Sequence, residues 1–142
     1  MNEFKLTVFA ADKPFYEGNC ISLVMPTSEG QYGIWANHSD MIAAIVPGLM
    51  KVTLPDNTEK VAAVSGGIAE VSGNSVLVLV DTLEKPEEID ENRAKRAREQ
   101  AKEAMLQKRS RREYYAAQAR MARAMSRINV KEYENHGKEM PS

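Results

Sequence analysis

Two hydrophobic rhythms that cannot share one element meet at Lys85-Pro86 in this chain of 142 residues. Before that point apolar side chains recur every second residue in short runs, and after it they recur every three or four. Phe4-Lys5-Leu6-Thr7-Val8-Phe9 alternates apolar and polar, which places one face of an extended strand in a core. Further runs at 21–25, 32–35, 41–46, 49–54, 61–64, 68–71 and 76–80 continue the pattern. Pro14, Glu29-Gly30, Asn37-His38, Pro47-Gly48, Pro55-Asp56-Asn57, Gly66-Gly67 and Gly73-Asn74 punctuate them with residues that favour turns. Many short, evenly spaced strands predict two packed sheets rather than a parallel sheet wrapped by helices. Val76-Leu77-Val78-Leu79-Val80 is apolar at every position and reads as a central strand buried on both faces.

Pro86 keeps its predecessor extended and closes the strand region. Beyond it, Asp90 is positioned as an N-cap, and Glu91 sits near the positive end of a helix dipole. Ala94, Ala97, Ala101 and Ala104 fall on one helical face. Ser110-Arg111-Arg112-Glu113 has the form of a capping box, and Tyr114, Ala117, Met121, Ala124, Met125 and Ile128 then follow with helical period. The fold class expected is β + α: an N-terminal β-sandwich of about ten short strands, residues 1–86, followed by a C-terminal antiparallel two-helix hairpin, residues 87–133. The tail 134–142 has no periodicity and reads as frayed. Burying an alanine methyl contributes on the order of 0.8 kcal/mol, against roughly 1.5 to 3 for a leucine or isoleucine. Alanine stripes therefore zip weakly, and the hairpin reads as an arm that can lie on the sandwich or leave it.

The net charge of −1 conceals an asymmetry. Residues 1–86 carry a net −5 and residues 87–133 a net +5, an acidic body with a basic arm. Such an arm suits an acidic partner or a polyanion. A solvated helical face, with Arg98 and Lys102 interleaved with Glu99 and Glu103, is the plainer alternative for any single residue.

Function classes fall away in turn. Cys20 is the only cysteine, so there is no disulfide framework and no cysteine-based metal site. No apolar run approaches the roughly 20 residues of a membrane span, and the first residues lack an apolar leader core, which places the chain in the cytosol. No nucleophile elbow, phosphate loop or metal-spaced cluster is present. His38 lies in an Asn-His-Ser-Asp turn, and Ser65-Gly66-Gly67 reads as a tight turn in which glycine supplies positive φ. Nine arginines between Arg93 and Arg127 raise nucleic-acid binding, but a pI near 6.2 and the interleaved glutamates argue against it. What remains is a docking domain with a basic helical lever; an adaptor, or a nucleic-acid-binding protein of the same shape, is the alternative.

Several segments, in this order, resemble the epsilon subunit family of bacterial F-type ATP synthase. They are Pro26-Thr27-Ser28-Glu29-Gly30-Gln31-Tyr32-Gly33-Ile34-Trp35-Ala36-Asn37-His38, Val46-Pro47-Gly48, Val64-Ser65-Gly66-Gly67-Ile68-Ala69-Glu70-Val71, Leu79-Val80-Asp81-Thr82, Ile89-Asp90-Glu91-Asn92-Arg93-Ala94 and Ala122-Arg123-Ala124-Met125-Ser126-Arg127-Ile128. The resemblance implies a non-catalytic rotor subunit of the central stalk, coupling ion translocation to ATP synthesis at the cytoplasmic face of the bacterial cell membrane and held there only through the complex. Its sandwich would bind the gamma subunit and the c-ring, with Glu29, Gln31 and His38 in the ring-facing loop. Its arm would reach the alpha and beta subunits, where Arg109, Arg111, Arg112, Arg120, Arg123 and Arg127 meet an acidic segment of beta and block ATP hydrolysis. Some members bind regulatory ATP on the folded arm; the matching positions are Glu84, Asp90, Arg93, Ala94, Arg123 and Arg127, while Gln100 stands where that pattern has an arginine. No metal and no other cofactor is expected.

Overall fold

A computed structural model describes residues 2–11, 13–107 and 110–135. Ten strands precede two helices. The strands are β1 (Phe4–Ala10), β2 (Lys13–Cys20), β3 (Ser22–Thr27), β4 (Gly30–Trp35), β5 (Met41–Ile45), β6 (Gly48–Thr53), β7 (Glu59–Val64), β8 (Gly67–Ser72), β9 (Ser75–Val80) and β10 (Leu83–Glu84). A single 3-10 turn, Pro86–Glu88, leads into α1 (Glu91–Leu106) and α2 (Arg111–Asn135). Two five-stranded sheets pack face to face, with orders β2-β1-β9-β8-β5 and β10-β7-β6-β3-β4. The sandwich followed by two helices is the architecture that the change of rhythm predicts.

Alternation does the work in β1, where Phe4, Leu6, Val8 and Ala10 turn inward while Lys5 and Phe9 face out. β1 pairs in parallel with β9, Val8 opposite Val78, and antiparallel with β2. The register with β2 slips between Val8 and Phe9, so that Val8 meets Tyr16 and Phe9 meets Pro14. Pro14 therefore lies inside an edge strand and not in a turn. Proline lacks the N–H that an inner strand needs, and an edge beside a bulge is where a sheet tolerates it. The sequence of β2 has no clean alternation because much of the strand is solvated on both faces.

The expectation for 76–80 is corrected. β9 is central in its sheet, but Val76, Val78 and Val80 are buried while Leu77 and Leu79 are 37% and 41% exposed. β6 and β7 do have stretches buried on both faces: neighbours Leu49 and Met50, and Ala62, Ala63 and Val64, are all below 6% exposure. α2 supplies the second cover there, and among the described residues no element packs on the outer face of β9.

The turn glycines divide into two kinds. Gly73 takes φ = +61° in the β8–β9 hairpin, the left-handed region that glycine enters cheaply. Gly66 and Gly67 do not have positive φ, contrary to expectation. Gly67 is required by proximity, because a Cβ there would lie 2.1 Å from the Leu79 carbonyl oxygen. Ser65 is equally structural: its hydroxyl oxygen accepts the Thr82 N–H at 2.8 Å.

Candidate functional site

The arm begins with two caps. The Lys85 N–H donates to the Glu88 carboxylate at 2.8 Å, and the Glu88 N–H returns to the Lys85 carbonyl at 2.9 Å. That amide contact holds the Glu88 carboxyl below its ordinary range. Asp90 then caps α1 by accepting the Arg93 N–H at 3.1 Å, so Asp90 is engaged by the backbone of Arg93, not by its guanidinium as a charge pairing would have it. At the second helix the Ser110 hydroxyl accepts the Glu113 N–H at 3.1 Å, the first half of the expected capping box.

Ala94 and Ala101 of α1, with Ala117 and Ala124 of α2, are buried on the facing stripes. Tyr114 departs from its stripe: it is 39% exposed and meets Tyr115 edge to face, centroids 5.7 Å apart. α2 runs through Glu134 to Asn135, so the first two residues of the expected frayed tail are helical. The rest of that tail, and Arg109, lie outside the described residues.

The C-terminal half of α2 lies on the outer face of β6 and β7. Val130 and Tyr133 form a small apolar cluster with Leu49, Ala63 and Ile89, separate from the main core, which is made wholly of sandwich residues. Polar contacts frame it. The Ser126 hydroxyl donates to the Gly48 carbonyl at 2.8 Å, Arg127 donates to Glu84 at 2.5 Å, and Lys131 donates to the Pro86 carbonyl at 3.2 Å. The Tyr133 hydroxyl donates to Glu59 at 2.8 Å, and Lys51 lies 3.3 Å from the same carboxylate. None of Ser126, Tyr133, Glu59 and Lys51 stands out in the sequence. The one available signal is the apolar pair Val130 and Tyr133, three residues apart and off the stripe that ends at Ile128.

Of the six residues implied for ATP, Glu84, Arg123 and Arg127 come together around a recess of about 10 Å³, which Ser126 also lines. Asp90, Arg93 and Ala94 occupy the first turn of α1 and are not part of that lining. Of the basic arm, Arg111, Arg112, Arg120 and Arg123 are exposed, while Arg127 is partly buried in its pair with Glu84.

At the far edge of the second sheet, the β3–β4 turn presents Glu29 and Gln31, both exposed. His38 is fixed from both sides. Its Nδ1 is 2.7 Å from the Ser39 carbonyl oxygen, which can only accept, so Nδ1 carries the proton. Nε2 lies 2.9 Å from the Tyr32 oxygen, and in the neutral ring it is the acceptor for the phenol. Trp35, 58% exposed on the same edge strand, and Tyr32 are surface aromatics beyond the three residues expected here.

The outer face of the first sheet carries a row of exposed apolar side chains. Phe9, Leu79 and Ile68 are successive cross-strand neighbours on β1, β9 and β8, and Leu77 and Ile42 are exposed close by. A groove of about 460 Å³ at one end is lined by Phe9, Ala11, Pro14 and Leu79. Scattered surface leucines are ordinary, but a contiguous patch on a sheet face marks a contact surface. Among the described residues no group of His, Cys, Asp and Glu could hold a metal, and no helix is long and apolar enough to cross a membrane.

A β-sandwich followed by a two-helix hairpin is an architecture that known proteins share. The family model for the ATP synthase delta/epsilon chain beta-sandwich domain matches residues 3–86, and that for the delta/epsilon chain long alpha-helix domain matches residues 87–132. This chain belongs to the ATP synthase delta/epsilon family. Curated members named ATP synthase epsilon chain include one from Ruminiclostridium cellulolyticum, 34% identical over 92% of this chain and 96% of its own length. Another, from Caldicellulosiruptor bescii, is 36% identical over 93% of this chain and 96% of its own length. Among solved structures, a chain of the Euglena gracilis mitochondrial ATP synthase (OSCP/F1/c-ring) has the same fold, with a TM-score of 0.79 at 21% identity over 94% of this chain and 82% of that one. A chain of the Tetrahymena thermophila mitochondrial ATP synthase central stalk and c-ring gives 0.64 at 15% identity, over 92% and 97%.

Proposed function

We propose that this delta/epsilon family member is the epsilon subunit of an F-type ATP synthase, a non-catalytic part of the central stalk. It joins the stalk to the membrane rotor at the cytoplasmic face of a bacterial membrane, held there through the complex. The observation that carries this reading is the uncovered row Phe9, Leu79 and Ile68, since an apolar face of that extent needs a permanent protein partner. The gamma subunit is that partner. The β3–β4 turn with Glu29 and Gln31, and the braced His38, faces the c-ring. Replacing Leu79 and Ile68 by aspartate tests the assignment by co-purification with gamma: the variant should fold and fail to bind. Undiminished binding, or recovery with RNA in place of the stalk subunits, would overturn it.

The arm serves as a regulator. Folded on the sandwich it is held by polar contacts and one small cluster, and its exposed arginines suit an acidic segment of the beta subunit once it extends between the alpha and beta subunits. In that position it inhibits ATP hydrolysis. Regulatory ATP belongs to the same reading. Glu84, Arg123 and Arg127 supply a mixed-charge recess, but at about 10 Å³ it must widen to admit a nucleotide. A calorimetric titration with ATP should give a saturable heat that Arg123→Ala abolishes; no heat from the unmodified chain would remove ATP from the account.

A further inference from the structure

Of the contacts between α2 and the sandwich, one draws on three elements at once. Tyr133 of α2 is 2% exposed, and its ring rests in the cluster with Val130, Leu49 and Ala63. Its hydroxyl donates to Glu59 of β7 at 2.8 Å. Lys51 of β6 meets the other oxygen of that carboxylate at 3.3 Å, and its ammonium stands 5.8 Å from the centroid of the tyrosine ring. A phenol, a carboxylate and an ammonium thus close on one another, with the two charged side chains less than a fifth exposed.

We infer that Tyr133, Glu59 and Lys51 form the latch that holds the arm down, and that its opening is what frees α2 to leave the sandwich. The inference rests on the reading of the arm as mobile and adds which contact governs that motion. The other polar ties are weaker candidates. Arg127 and Glu84 are each about a third exposed, and an exposed pair is largely offset by ordering cost and solvent screening. Lys131 is shared between the Pro86 carbonyl and Glu134 of its own helix. Tyr133 combines apolar burial with a hydrogen bond to a charged acceptor, and such bonds outlast neutral ones. The latch also sits well along α2. Ser126, Val130 and Tyr133 are spaced to lie along one face, with Tyr133 the buried residue nearest the C-terminal end, so the seam stays closed while it holds.

A cavity of about 380 Å³ adjoins the latch, with Glu59 and Tyr133 in its wall alongside Phe15, Lys60, Pro86 and Glu134. Water therefore reaches the phenol–carboxylate bond without disturbing the sandwich core. Opening the latch exchanges one part-buried hydrogen bond for solvent contacts and leaves the two sheets intact, as a repeatable switch requires.

Hydrogen exchange on the full, isolated chain tests the latch apart from any question of inhibition, because no partner is present. Tyr133→Phe keeps the ring and removes the hydroxyl; residues 120–133 should exchange about 10-fold faster, in line with loss of a hydrogen bond to a charged group. Glu59→Ala should do likewise, and the double variant should be no faster than the faster single one. Exchange at β1 and β9 should not change. Three results would each overturn the latch: wild-type rates in Tyr133→Phe, a double variant whose acceleration is the product of the two, or equal acceleration in the sandwich strands. A positive result alongside unaltered ATP hydrolysis in the complex would keep the latch and discard the regulatory role.

Discussion

Arg127 on the second helix and Glu84 on the last strand are joined by a hydrogen-bonded ion pair at 2.5 Å across 43 positions of sequence. Each side chain is about one third exposed, so the pair lies in a seam that water reaches. Arg127→Ala should loosen the arm by no more than about 1 kcal/mol, and the effect should shrink as salt rises. Hydrogen exchange of α2 at low and high ionic strength measures both. A salt-independent loss larger than that would mean the pair is a buried one.

A chain ending at Lys85 should fold by itself. The main core draws on residues from Phe4 to Leu83 and on none from either helix. Leu49, Ala63 and Val61 would become exposed, which lowers solubility more than stability. Cooperative thermal unfolding of the shortened chain is the expected result, and a chain with no cooperative transition would show that the arm completes the sandwich.

Gly67→Ala should destabilise the sandwich by roughly 2 to 3 kcal/mol or more, because the new methyl collides with the backbone of β9 and backbone cannot step aside as a side chain can. Gly73→Ala meets open space and is limited to the strain of a positive φ, so it should cost less. Urea denaturation of the two variants ranks them.

The contrast between those two glycines marks where sequence reading stopped. Both stand in glycine turns, and sequence locates the turns, but it cannot show that one glycine is there for its φ and the other for a neighbour 2.1 Å away. The same limit explains β9. Five apolar residues in a row resemble a doubly buried strand, whereas Leu77 and Leu79 face outward, and an exposed apolar face leaves the same hydrophobic trace in a sequence as a core. Strands with strict alternation, such as β1, and helices with caps at Asp90 and Ser110 were legible because the signal is local. Tyr133, Glu59 and Lys51 were not, since three unremarkable residues become a cluster only when β6, β7 and α2 meet. The arginines of the arm were visible as a charge excess, but that Arg127 is already occupied by Glu84 depends on the arm being folded.

Cys20 gives a prediction in pH. Burial pushes its thiol up from 9.0 to about 12. In the unfolded chain the thiol ionises near its ordinary value while the folded chain keeps it protonated, so stability is full below about pH 9 and falls as pH rises towards about 12. Cys20→Ala should be less stable at neutral pH, from the cavity, yet lose less on going alkaline. Parallel alkaline limbs for the two proteins would show that the thiol plays no part.

The most direct test of the whole account is the rate of ATP hydrolysis by the assembled complex at low salt, with Arg111, Arg112, Arg120 and Arg123 of this subunit replaced by alanine. Four exposed charges, each worth a few tenths to about 1 kcal/mol, should together relieve inhibition by at least about threefold while the sandwich keeps the subunit in the complex. Hydrolysis at the unmodified rate, with the variant fully assembled, would contradict the claim that a basic arm restrains the enzyme.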